Sequence, residues 1–89
     1  MKAIVTVVGK DQVGIIAAVC IKLAEYNVNV LDISQTVLQG YFTMMMVLDV
    51  SACTVPLGEL CTAMEEMGKS RNLSIRVQRE DIFEAMHKV

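Results

Sequence analysis

Between Lys2 and Gln78 the spacing of apolar residues changes from alternation to a three-and-four repeat and back again, and it does so twice. Few folds accommodate that order. Alternation marks strands and the three-and-four repeat marks a helix, so the chain reads as two strand-helix-strand halves, Lys2 to Leu38 and Tyr41 to Gln78. Crossovers between parallel strands are right-handed in nearly all proteins. Two of them in one short chain lead to a single sheet with both helices on the same face and the other face open.

The individual segments fill in this frame. Lys2 to Val8 is rich in Ile and Val and is followed by Gly9, as expected of a strand buried on both faces. From Val13 onward Ile16, Ala17, Cys20, Leu23 and Ala24 keep helical spacing as far as Tyr26-Asn27, and Lys22 and Glu25 are the only charges. That polar face is narrow for a helix covered on one side. Val28 to Gln39 and Tyr41 to Val50 form a hairpin about Gly40. Phe42, Met44, Met46, Leu48 and Val50 share one face of its second strand. In its first strand the apolar parity shifts between Val30 and Leu31, which predicts a bulge. Pro56 opens a second helix in which Leu57, Leu60, Cys61, Met64 and Met67 oppose Glu59, Glu65 and Glu66. Asn72 suits a left-handed stop, and Leu73, Ile75 and Val77 then alternate with polar residues in a last strand. Asp81 is expected to cap a tail helix that docks through Ile82, Phe83 and Met86. The predicted class is therefore α+β, a ferredoxin-like βαββαβ sandwich. It has a four-stranded antiparallel sheet, two helices on one face and a short C-terminal helix. One domain over residues 1–89 is expected, with its core in 1–79 and the helical tail in 80–89.

Composition narrows the function. A formal net charge of −2 provides no cationic field for phosphate backbones, so nucleic acid is not an expected partner. No apolar run approaches the ~20 residues a bilayer requires. Met1-Lys2-Ala3-Ile4 leads straight into a strand pattern, so no membrane association and a cytoplasmic location are expected. Cys20, Cys53 and Cys61 lack CxxC spacing. Cys20 and Cys61 lie on apolar helix stripes and read as packing, while Cys53 lies in a turn and is open to oxidation. With His87 the only histidine, neither a metal site nor a cofactor is expected. Apolar residues on both faces of the first and third strands, Ile4 and Val8 beside Val5 and Val7, and Tyr41, Met45 and Val47, predict that the open sheet face is covered by a second copy.

Two motifs carry a resemblance. Gly9-Lys10-Asp11-Gln12-Val13-Gly14-Ile15 joins the first strand to the first helix, and Val28-Asn29-Val30 opens the second strand. Together with the βαββαβ order they resemble the ACT domain family, whose corresponding loop reads approximately G-x-D/N-x-x-G-hydrophobic. Asn29 to Gln35 and the ending Gln78 to His87 resemble stand-alone members that carry a single such domain. The residues have a reading of their own. Gly14 removes a side chain where a loop becomes a helix, leaving backbone N–H groups approachable by an anion. The resemblance adds that an amino acid would sit at a domain-domain interface with its carboxylate near this loop. Carried across, Asp11 would bind the ammonium, Asn29 would make side-chain hydrogen bonds, and Gln12, Val13, Gly14 and Ile15 would line the site. Many ligand-binding members have Pro where Val13 stands, which leaves this loop less rigid. The structural alternatives are that Gly14 serves packing, that Asp11 caps the helix and that Asn29 satisfies a turn.

Catalysis is not expected, because the chain lacks a nucleophile-base pair or clustered carboxylates on a common loop. The first loop also lacks the Arg of a phosphate clamp and the CxxC of a metal carrier. Tyr41 and Phe42, as strand neighbours, point to opposite faces and cannot form an RNA-stacking platform. Two functions remain: a homodimeric amino-acid sensor whose state is read by a separate effector protein, or a protein-protein interaction module without a metabolite.

Overall fold

The structure, a computed structural model, describes residues 1–10 and 12–87, except for the side chains of 86 and 87. Its elements run β1 (Lys2–Lys10), α1 (Ile15–Glu25), β2 (Asn29–Leu38), β3 (Tyr41–Asp49), α2 (Leu57–Ser70), β4 (Leu73–Arg79) and α3 (Glu80–His87). The four strands form one antiparallel sheet in the order β2-β3-β1-β4. This is the ferredoxin-like class that the hydrophobic spacing predicts, with the short C-terminal helix in addition.

The core lies between the sheet and the two longer helices. Ala3, Val5 and Val7 of β1, Phe42, Met44, Met46 and Leu48 of β3, and Leu73, Ile75 and Val77 of β4 are buried there. They meet Ile15, Val19 and Leu23 of α1 and Leu60 and Met64 of α2. Removing these side chains from water is the main stabilising term, at about 25 cal/mol per Å² of apolar surface.

Several local expectations change. The first strand passes through Gly9 and ends at Lys10. A Cβ at Gly9 would lie 2.5 Å from Leu73 Cδ2, so glycine here permits close pairing with β4 and does not stop the strand. The same strand is not buried on both faces throughout, since on the open side Ile4 is buried while Val8 is 41% exposed. The buried stripe of α1 is Ile15, Val19 and Leu23, one step round from the predicted one; Val13, Ala17 and Ala24 are exposed. Because α1 is apolar nearly all round, its spacing shows a helix without fixing which side faces the core. Asp81 lies inside the first turn of α3 instead of capping it; its Oδ1 accepts from the Ile82 N–H at 2.9 Å. In that tail Phe83 is half-buried and Ile82 is exposed, while Met86 of the predicted docking stripe lies outside the described side chains.

Other expectations hold. The bulge falls at Leu31, where pairing passes from Val30 opposite Leu48 to Asp32 opposite Val47. Beyond it Ile33, Gln35 and Val37 stand opposite Met46, Met44 and Phe42, and so on the helix side of the sheet. Gln39 and Gly40 turn the hairpin with φ of 50° and 81°, the left-handed pair of a two-residue loop. Asn72 stops α2 with φ 58°.

Candidate ligand-binding site

Between β1 and α1 the backbone turns through a left-handed glycine. Gly14 is the N-cap of α1 with φ 85°, and among the described residues no side chain caps the helix there. A left-handed φ disfavours residues with a Cβ by roughly 1–2 kcal/mol. The first intrahelical bond runs from the Ala18 N–H to the Gly14 carbonyl at 2.9 Å, which leaves the N–H groups of residues 15–17 without an acceptor in the helix. No acidic side chain lies in the first turn of α1, whereas Glu59 occupies that place in α2. Among the described residues the positive end of α1 therefore lacks the compensating anion that Glu59 supplies within the first turn of α2.

An open cleft of about 500 Å³ lies against this end. One wall is Gln12, Gly14, Ile15 and the first turn of α1, and the other is Gln35 to Val37 of β2, with Phe42 between them. Ile15 and Phe42 are buried, at 2% and 4% exposure, so the floor is rigid and apolar. The loop is tethered by Gln12, whose Nε2 donates to the Arg71 carbonyl at 3.0 Å. No atom lies within 4 Å of where a Gly14 Cβ would project, so the backbone stands open to an approaching group.

The predicted site residues are thus partly brought together. Gln12, Gly14 and Ile15 line the cleft, whereas Val13 is 99% exposed beside it and contributes no lining side chain. Asp11 lies outside the described residues. Asn29 is not at the cleft of its own chain. It pairs with Asp49, itself level with Lys2, at one end of the sheet, while Lys10, Tyr41 and Leu38 mark the end where the loop lies. A strand of this length separates them by about 25–30 Å. Sequence reasoning missed Gln35, Val37 and Phe42 as lining residues. Their signal was the bulge, which turns Gln35 and Val37 to the helix side.

The surface formed by α1 and β2 exposes several large apolar side chains among polar ones. Ile21 of α1 is 63% exposed, and every residue of β2 except the half-buried Val30 is exposed, including Leu31, Ile33, Val37 and Leu38. On the opposite side of the sheet Tyr41, Val8 and Met45 are also exposed and Val47 is half-buried.

The cysteines stand apart from the cleft. All three are free and half-buried, and the Cys61 thiol donates to the Val77 carbonyl at 3.2 Å. Burial pushes that thiol up, and Glu65 adds to the effect, so it is protonated and unreactive at neutral pH. Among the described residues no three His, Cys, Asp or Glu side chains gather as metal ligands, and no helix is long and apolar enough to cross a membrane.

Comparison with known proteins agrees with this architecture. A family profile described as ACT domain matches residues 2–78. The chain is 51% identical to a UPF0237 protein of Listeria innocua over the whole of both chains. It superimposes on an ACT domain protein from Streptococcus pneumoniae with TM-score 0.82 and 49% identity, over 94% of each chain. The regulatory subunit of aspartate kinase from Thermus thermophilus shares the fold, with TM-score 0.66 and 24% identity over 86% of this chain and 50% of that one.

Proposed function

Because this chain belongs to the ACT domain family, we propose that it is a non-catalytic regulatory domain that binds a small molecule, an amino acid, as a homodimer. The observation that carries the proposal is the cleft at the uncapped start of α1. A carboxylate resting on the N–H groups of residues 15–17 satisfies donors that the helix leaves open and meets the positive end of its dipole. Asp11, adjacent in sequence, is the group assigned to the ammonium.

The dimer follows from where Asn29 stands. Residues at opposite ends of one sheet join a single site only if a second copy brings one of them across. Antiparallel pairing of two β2 edges about a two-fold axis at Ser34 would set Asn29 of the second copy level with Gln39, beside the loop. The same pairing would cover the exposed row of β2 and the apolar side of α1. The β2 edge is preferred because it brings Asn29 of the second copy to the loop; the open sheet face, where Val8, Tyr41 and Met45 are exposed, is the other candidate interface. A ligand touching both copies favours the paired state and thereby shifts an equilibrium that an effector protein can read. The domain acts in the cytoplasm in this reading.

Thermal unfolding in the presence of each of the twenty amino acids at millimolar concentration tests the reading. A ligand at 100 times its Kd adds about 2.7 kcal/mol and raises the melting temperature by several degrees. If no amino acid moves it, the exposed surface of α1 and β2 is better read as a docking site for another protein, without a metabolite.

A further inference from the structure

The proposed reading concerns the part of the ligand common to all amino acids. What lines the rest of the cleft bears on the side chain, and the following inference rests on that reading. The apolar part of the lining is Ile15, Ile16, Ala17, Val37 and Phe42. The described residues add two carboxamides, Gln12 and Gln35, and one hydroxyl, Thr36; none of the described lining residues is charged. Gln12 donates one N–H of its amide to the Arg71 carbonyl, which fixes its side chain against the loop. Gln35 is exposed, and the register places it opposite the fully buried Met44, on the helix side of the sheet. Its neighbours on that side are Ile33 and Val37, so it is the one polar member of an otherwise aliphatic row.

An ionised side chain held against the apolar lining would gain no counter-charge from the described lining residues, which is unfavourable. A carboxamide both donates and accepts, and so pairs with a neutral amide or hydroxyl without requiring charge. We infer that the cleft selects amino acids with uncharged side chains and that Gln35 is the residue that discriminates among them, favouring those with an amide or hydroxyl over purely aliphatic ones.

The experiment uses the full chain, with melting temperatures measured against the twenty amino acids and Kd values for those that respond. The parent protein should respond to neutral amino acids and not to Asp, Glu, Lys or Arg. Gln35→Leu should weaken the amide- or hydroxyl-bearing ligands about tenfold relative to aliphatic ones, the loss expected for one hydrogen bond left unmade. Because Gln35 is exposed in the single chain, this variant should unfold at the parent's urea concentration when no ligand is present and the protein is dilute enough to be monomeric. The inference is overturned if a charged amino acid binds best, and the role of Gln35 is overturned if parent and variant rank the ligands alike. A protein that answers to no amino acid overturns the parent reading itself, a result distinct from either of these.

Discussion

The two strand-helix-strand halves place the same geometry in different chemical surroundings. Each helix buries three residues at four-residue spacing, Ile15, Val19 and Leu23 in α1 and Leu60, Met64 and Gly68 in α2. Outward, α2 presents Glu59, Glu65 and Glu66, while α1 presents Ala17, Ile21 and Ala24. The strands differ in the same way. β4 alternates buried Leu73, Ile75 and Val77 with exposed Ser74 and Arg76, whereas β2 buries none of its residues. The second half satisfies its own apolar surface, and the first half leaves apolar surface over. Surplus of that kind on a small domain points to binding, because folding alone gives no reason to keep it.

The sharpest test of the contrast is its effect on stability. Met64→Ala, in the fully buried face of α2, should cost about 2–5 kcal/mol in urea unfolding. Ile21→Ala, at 63% exposure on α1, should cost under about 0.5 kcal/mol at protein concentrations where the chain is monomeric. Comparable losses at the two positions would erase the distinction between the halves.

That distinction was only half legible in the sequence. The strand order and the bulge could be read because β-branched alternation and a parity slip leave discrete marks, as Val30 and Leu31 do. The core face of α2 could be read because its glutamates exclude the alternatives. α1 resisted, since a helix apolar all round has no polar stripe to set its phase, and Val13 and Ala17 were assigned inward although the fold turns them out. Gly14 was identified by its place between strand and helix, yet the wall facing it was not. Gln35 and Val37 reach the cleft only through a register that becomes determinate once the strands pair.

Next in size is the effect on association. Val37→Asp, on the exposed β2 row, should raise the dimer dissociation constant at least tenfold in sedimentation equilibrium, because it sets a charge into an apolar contact. Met45→Asp, on the opposite side of the sheet, should leave it unchanged. The reverse pattern would move the interface to the open face and detach the cleft from dimerisation.

The two glycines of the comparison should fail for different reasons. At Gly68 an added Cβ would lie 2.7 Å from the Leu73 carbonyl oxygen, so Gly68→Ala should cost about 1–3 kcal/mol through overpacking. Gly14→Leu meets open space, and its cost of about 1–2 kcal/mol comes from the left-handed φ alone. Only the second should also abolish the thermal response to a ligand. A Gly14→Leu protein that responds like the parent would place the ligand elsewhere.

The smallest effect carries the most geometric information. Asn29→Ala should leave stability within about 0.5 kcal/mol and weaken a responding amino acid by about 3- to 10-fold, the range for one hydrogen bond. In one chain Asn29 is a strand length from the cleft, so any such weakening already argues for a second copy. Mixing subunits sharpens the test. In a dimer of one Gly14→Leu chain and one Asn29→Ala chain, a site built from the loop of one copy and Asn29 of the other has two compositions. One combines both lesions, and the other combines an intact loop with an intact Asn29. Titration calorimetry on the mixed dimer should therefore show one site per dimer with the parent's affinity. If each site were contained within a single chain, the functional loops would all sit on Asn29→Ala subunits, and every remaining site would bind with the weakened affinity of that variant.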